Sequence, residues 1–350
     1  MTREISLNDL MKAHENNDRI LVDVRSPGEF EEGSIPGSVN IPVFDNEERA
    51  EIGTIYKQVG QEAAKERGLE IFSAKLPQFV KQFKALGGPV SVFCWRGGMR
   101  SKTAATTTEL MGIDVNRLTG GIRTYRQWVV QSLEAYEFNP ELLVLNGYTG
   151  SGKTVLLNRL KDEGYPVIDL EKMAGHRGSI FGQIGLEPSN QKKFDSLLIT
   201  ELRKLQNSPY ILIEGESRRI GRVHMPDFLH EKKEKAPQLF LDLPAEVRVK
   251  NILQDYQPDQ TPAQFMEAFE KIERRIHTPI SREIRALLTK QHYEEAVKLL
   301  LLHYYDPRYE HSISSQDGKH TFITAESMDE AYEKVKQAAN SFSYSASRQH

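Results

Sequence analysis

Apolar residues along the chain fall into short solid runs, separated by longer stretches in which they recur every three to four positions. That is the pattern of buried strands alternating with helices, and it predicts parallel sheets covered on both faces. The strand-length runs lie at 20–24, 39–42, 90–93, 142–146, 166–170, 210–214 and 238–243. Helical pattern covers 46–86, where Pro77 is expected to open a helix that Gly87-Gly88-Pro89 closes. It returns after the strand at 90–93, from about 101 to 111, then from Gly121 through Trp128 to about 136, from Lys153 to about 163, and over 262–305. Asn139-Pro140 marks a junction between two α/β units. The expected division is 1–137, a first α/β domain; 138–245, a second with a parallel sheet; 246–342, its mainly helical C-terminal extension; and 343–350, a Ser-rich tail without fixed structure.

A length of 350 residues, with 39% hydrophobic and 27% charged, suits two soluble domains. No apolar run approaches the roughly 18 residues of a membrane span, so no membrane association is expected. The first residues lack a signal-peptide profile. The single cysteine, Cys94, excludes an internal disulfide and suits a reducing cytoplasm; it also leaves no resolving thiol. A net charge of −3 gives no general nucleic-acid signal. Any RNA contact must come from local patches such as Arg218, Arg219 and Arg222, Lys271, Arg274 and Arg275, or Arg282 and Arg285.

Two stretches carry chemistry. Cys94-Trp95-Arg96-Gly97-Gly98-Met99-Arg100-Ser101 follows a predicted strand and opens a helix. Gly97 and Gly98, free to adopt positive φ, would let the loop turn its amides inward as an anion nest, and the helix N-terminus would favour a thiolate at Cys94. Arg100 would offer a bidentate fork to a tetrahedral oxyanion, and Ser101 a hydroxyl near the sulfur. Gly147-Tyr148-Thr149-Gly150-Ser151-Gly152-Lys153-Thr154 completes a P-loop between strand and helix. Gly147, Gly150, Ser151 and Gly152 would cradle a diphosphate, with Lys153 bridging its oxygens and Thr154 within reach of a Mg²⁺. Asp169, Glu214 and Glu216 are the acidic candidates beside it, and Arg218, Arg219 and Arg222 would bring positive charge over the same crevice. No metal ligand set is fixed by the sequence.

Asp23-Val24-Arg25-Ser26-Pro27, Glu29-Phe30 and the run from Gly33 to Pro42, with Thr119-Gly120-Gly121 and Trp128, resemble the rhodanese superfamily. The five residues between Cys94 and Arg100 are one more than sulfurtransferase rhodaneses use and match the related dual-specificity phosphatases, which favours a phosphorus-centred or bulkier substrate. The pairing of this loop with the P-loop resembles the tRNA 2-selenouridine synthase family. The runs 48–57 and 169–171, His176-Arg177-Gly178-Ser179, 214–218, 304–307 and Tyr309 extend the likeness over nearly the whole chain.

The resemblance implies a rhodanese-like α/β domain followed by a P-loop α/β domain. It implies a transferase acting on tRNA that bears 2-thiouridine at the wobble position. Geranyl diphosphate alkylates the sulfur, and selenophosphate then supplies selenium while geranyl thiol leaves. The P-loop residues would hold the geranyl donor, with Mg²⁺ optional and an apolar channel beside them for the tail. Cys94, Arg96, Arg100 and Ser101 would bind selenophosphate, whether or not Cys94 carries selenium. Arg177 and Arg218–Arg222 are the candidates for tRNA phosphates, and Trp95 for stacking on the base. An enzyme that makes selenophosphate would be a further partner, and the cytoplasm the place of action. Two alternatives are a fused phosphatase and kinase, and a nucleotide-switched binding module.

Overall fold

The computed structural model describes residues 3–309 and 320–346. The chain divides into two compact units, Met1–Ala135 with the short stretch Asp195–Ile199, and Tyr136–Phe194 with Thr200–His350.

In the first unit the elements run β1 (Arg3–Ile5), α1 (Leu7–Glu15), β2 (Ile20–Asp23), α2 (Pro27–Glu31), β3 (Val39–Asn40), α3 (Asn46–Gln58), α4 (Gln61–Ala85), β4 (Val90–Phe93), α5 (Met99–Leu110), β5 (Val115–Leu118) and α6 (Gly121–Glu134). The five strands form one parallel sheet in the order β1-β5-β4-β2-β3. β4 lies in the middle and is buried along its whole length, so its carboxyl end is a firm base for the loop that follows. β1 and β5 escape the hydrophobic pattern: each is short, and β5 reads Val-Asn-Arg-Leu with only its ends buried.

Pro77 does not open a helix. It sits inside the 25-residue α4, although proline removes a helix hydrogen bond. Packing overrides that cost. Phe72, Phe79, Val80 and Phe83 are buried along one face, with the Phe72 and Phe79 rings 5.1 Å apart edge to face.

In the second unit come β6 (Glu141–Gly147), α7 (Lys153–Asp162), β7 (Val167–Ile168), α8 (Leu170–Ala174), α9 (Gln191–Leu205), β8 (Tyr210–Glu214), β9 (Arg219–Ile220), β10 (Val223–His224), α10 (Asp227–Lys235), β11 (Gln238–Asp242) and α11 (Ala245–Tyr256). After a short 3₁₀ turn follow α12 (Pro262–Glu273), α13 (Thr278–Thr289), α14 (Tyr293–Leu300), β12 (His320–Thr324) and α15 (Met328–Ala346). The parallel sheet is ordered β12-β11-β6-β8-β7. β9 and β10 form a separate antiparallel hairpin.

The stretch from 246 to 342, expected to be mainly helical, is mostly helix and also supplies one strand. Its strand β12 pairs with β11 in register from Gln238↔His320 to Asp242↔Thr324 and completes the sheet's edge. Residues 343–346, expected in an unstructured tail, are helical instead, because α15 runs on to Ala346. Phe342 packs edge to face on Tyr210 at 5.7 Å, and Ala346 is buried. Residues 347–350 lie outside those described. Helices α12, α13 and α14 enclose a second core around Phe265, Phe269, Ile284 and Leu300.

Candidate functional site

The Cys94 loop leaves β4 and enters α5, so its position is set by a buried strand and a helix. Its carbonyls are spoken for. Cys94 O accepts from the amide of Ile122 at 2.9 Å, Trp95 O from that of Arg123 at 3.1 Å, and Gly97 O from the Arg117 guanidinium at 2.8 Å. Among the described residues, the amides of Trp95, Arg96, Gly97 and Gly98 donate to none, as an anion nest requires. Gly97 takes φ +66°, whereas Gly98 has φ −86°, so one left-handed residue suffices for the turn and not two. Gly121 must also be glycine: a Cβ there would lie 2.3 Å from Cys94 O.

Cys94 is buried, and its thiol donates to the Ser101 hydroxyl at 3.2 Å. Trp95 and Arg96 are exposed at the rim. Arg100 does offer a fork, but to Glu29: Nη1 and Nη2 donate to the two carboxylate oxygens, at 2.5 and 3.2 Å. Burial works against both charges, yet the pair prevails. Glu29 is held below the ordinary carboxylate value by Arg100, and Arg100 is raised by its hydrogen bond and charge interaction with Glu29. Glu29 therefore stays ionised and offers no acidic proton beside Cys94. The sequence places Glu29 only as part of a motif. Its role as the clamp on Arg100 appears only where β2 and β4 bring the two loops together.

The P-loop is formed by β6 and α7, with Gly152 in the left-handed region at the helix cap. A Cβ on Gly150 would meet Ile252 at 2.7 Å and Arg248 O at 2.8 Å, so the loop is closely backed by α11. The Lys153 ammonium donates to Gly147 O at 3.1 Å. Ser151 is wholly buried, and its hydroxyl has no hydrogen-bond partner among the described residues.

Beside the loop lies a cleft of about 240 Å³ that includes Lys153, Thr154, Glu171, Arg177, Glu216 and Asp255 in its walls. Glu171 is the functional residue that sequence reasoning passed over. Its Oε2 accepts from the Thr154 hydroxyl at 2.6 Å, and its carboxyl is pushed up to about 8 by burial and by Glu216. Glu214, also buried, accepts from the Glu171 amide at 3.0 Å and is raised well above the ordinary value by burial and by Asp169. Asp169 caps α8 by accepting from the Lys172 amide at 2.8 Å, and burial raises it too. One oxygen on each of Asp169 and Glu214 is buried with no hydrogen-bond partner among the described residues. The available signal was the spacing Asp169-x-Glu171 after a predicted strand: the first acid caps the short helix, and the second points at the P-loop threonine.

A threonine hydroxyl beside a phosphate cradle, next to a carboxyl that becomes a ligand on losing its proton, fits Mg²⁺, which takes one or two protein ligands and completes its shell from phosphate and water. Among the described residues no set of three or more His, Cys, Asp or Glu side chains is arranged to hold a metal. Any ion here would lean on the substrate.

Arg177 is placed in this cleft, with its guanidinium 4.8 Å over the Tyr256 ring and donating to Ile184 O at 2.8 Å. Arg218, Arg219 and Arg222 are on or next to the exposed hairpin, where Arg218 pairs with Asp227 and Arg219 donates to Gly221 O at 3.1 Å. The apolar void adjoining the P-loop among the described residues holds about 20 Å³.

The family model described as the tRNA 2-selenouridine synthase AAA domain matches residues 140–341, and the rhodanese-like domain model matches residues 6–127. The chain is similar to tRNA 2-selenouridine synthase of Bdellovibrio bacteriovorus, at 34% identity over 87% of this chain and 90% of that one. The proteins of that name from Nitrosomonas europaea and Nitrosomonas eutropha are 37% and 39% identical. Those two alignments take in 68% of this chain and 64% and 63% of the relatives' own length.

Proposed function

Since the chain belongs to the tRNA 2-selenouridine synthase family, we propose that it converts 2-thiouridine at the tRNA wobble position to 2-selenouridine in two steps, in the cytoplasm. In the first, the thiocarbonyl sulfur attacks C1 of geranyl diphosphate. The S–C bond forms, the C–O bond breaks, and diphosphate leaves with the electron pair. Gly147 to Thr154 hold the diphosphate, Lys153 and Arg177 meet its charge, and the proton lost from the base passes to water. Thr154, together with Glu171 once it has given up its proton, would hold Mg²⁺, which when bound supplies further positive charge to the diphosphate.

In the second step the Cys94 loop binds selenophosphate, and bookkeeping of electrons decides what Cys94 does. Selenium in selenophosphate is already fully reduced, so moving it onto the cysteine sulfur would expel phosphorus as phosphite. Attack of the Cys94 thiolate on phosphorus needs no redox change: S–P forms, P–Se breaks, and selenide is released. Selenide then displaces geranyl thiolate from C2, and water clears the phosphocysteine. The five-residue spacing between Cys94 and Arg100 suits a phosphorus centre, and Glu29, being ionised, is not the proton donor that a phosphoester-cleaving enzyme needs.

The observation that carries this function is the joint presence of the two prepared anion sites, each with its activating side chains, in one chain of this family. The test is to incubate a 2-thiouridine anticodon stem-loop with geranyl diphosphate, then add selenophosphate, and follow nucleoside masses. A geranyl adduct that turns into 2-selenouridine is expected, with the first step reduced at least ~100-fold in Lys153→Ala. Unchanged nucleoside mass at both steps would sink the proposal and make phosphoester and ATP assays decisive.

A further inference from the structure

One cavity extends away from the Cys94 loop. It is a groove of about 860 Å³ in the first unit, between α3, α4 and the start of α5. That volume is within the roughly 300–1,000 Å³ of small-molecule sites. Its floor is apolar, made by Val43, Phe44, Ile52, Ala64, Gly68 and Phe72. Tyr56, Leu69 and Met99 also line it and are more than half exposed, although residues of this kind normally seek cover. At Gly53 a Cβ would meet nothing within 4 Å, so the middle of α3 borders open space. The rim is cationic, with Arg49 and Lys57 from α3 and Lys65 from α4. Arg49 lies 3.8 Å from Glu29, and Lys65 pairs with Glu62.

Position assigns the occupant. Met99, Arg100 and Thr103 close one end of the groove, and Met99 and Arg100 belong to the first turn of the helix that grows out of the Cys94 loop. A chain lying in the groove therefore ends beside the selenium donor. In the second step the geranyl group is bonded to the very sulfur that leaves C2, so its ten carbons must be housed next to Cys94 when the C2–S bond breaks. Beside the P-loop, among the described residues, lie a cleft with charged side chains in its walls and an apolar void of about 20 Å³, too small for them.

We propose that the α3–α4–α5 groove receives the geranyl chain of S-geranyl-2-thiouridine during selenium transfer, its cationic rim facing the phosphates of the same tRNA. The site deepens the function proposed above and rests on it. In the step it serves, C2–Se forms and C2–S breaks, and geranyl thiolate leaves with the electron pair and takes a proton from water. Sulfur and selenium keep their oxidation states. The groove thus binds the leaving group and makes the enzyme selective for a long apolar substituent on sulfur.

Selenation of synthetic stem-loops carrying S-geranyl- or S-methyl-2-thiouridine tests this in wild type, Gly53→Trp and Leu69→Asp. Both substitutions are on helix positions facing open space or solvent, so folding should survive. Wild type is expected to prefer the S-geranyl substrate at least tenfold in kcat/KM, and both variants to lose most of that preference. Equal loss on both substrates, or retention of the preference in both variants, would overturn the proposal.

A second measurement stands apart from catalysis. A diazirine-bearing geranyl thioether should label peptides of α3 or α4, geranyl thiol should compete, and Gly53→Trp should abolish the label. Labelling elsewhere in the chain, or labelling that geranyl thiol leaves unchanged, would overturn the groove even if the tRNA chemistry holds. Failure of wild type to make the geranyl adduct, with α3 or α4 labelled and competed, would instead fault the function and leave a prenyl-binding groove.

Discussion

At the scale of single residues, two clamps explain how polar groups are kept ready without substrate. Arg100 is fixed by both oxygens of Glu29, a geometry that needs a planar fork. Arg100→Lys keeps the charge but loses that geometry, and selenium transfer should fall at least ~10-fold while geranylation is unchanged. The measurement is single-turnover nucleoside analysis of each step, and equal loss in both would show general damage. Glu171 is the opposite case, a carboxyl kept protonated by burial and by Glu216, at about 8 against an ordinary 4.5. Between those values the folded chain holds a proton that the unfolded chain has lost. Stability of the ligand-free protein therefore falls as pH rises from about 4.5 to about 8, by up to about 1.4 kcal/mol per pH unit from this group. Glu171→Gln removes that share. Urea denaturation should find it close to wild type at pH 5 and more stable at pH 8, and a slope as steep as wild type would contradict the assignment. Cys94, Lys153 and the P-loop glycines were legible in the sequence because their chemistry is local. Glu29 and Glu171 were not, because what each does depends on a partner that the fold supplies.

At the scale of elements, solid apolar runs were reliable guides: β8 at Tyr210–Glu214 and β4 at Val90–Phe93 match the patterned stretches residue for residue. Strands without such runs were missed, β5 because half its residues are polar and β12 because Phe322 is exposed on the sheet's edge. Pro77 misled because a local preference gave way to four buried side chains on one face of α4. The π-helical turn Leu301–Tyr305 sets up a further contact, since Asp306 follows it and takes the guanidinium of Arg248 on both oxygens at 2.8 Å. Arg248 comes from α11, and its guanidinium also lies 5.0 Å over the Tyr148 ring of the P-loop. The pair is mostly buried, so Asp306→Ala leaves a charge unpaired and should cost about 3–5 kcal/mol. Urea unfolding of the second unit would show it, and a change below 1 kcal/mol would mean that α14 and the turn are anchored by packing alone.

At the scale of the whole molecule, the chain is two α/β units, each with a five-stranded parallel sheet and each with an anion loop at the carboxyl end of an interior strand. Neither loop explains the other's chemistry. Their combination makes sense for a reaction in which sulfur is first alkylated, to become a leaving group, and then replaced. The domain pairing was legible because both loops have rigid spacing requirements, whereas the groove on α3 and α4 was not, because an empty space leaves no motif. The central claim is that one chain performs the two steps with separate machinery. It is tested most directly by giving Cys94→Ser the 2-thiouridine stem-loop with geranyl diphosphate and selenophosphate together, and measuring nucleosides over time. The predicted result is accumulation of S-geranyl-2-thiouridine without 2-selenouridine, where wild type passes through the same adduct to the selenium product. Formation of 2-selenouridine by Cys94→Ser at the wild-type rate, or its formation by wild type without any geranyl adduct, would contradict the account.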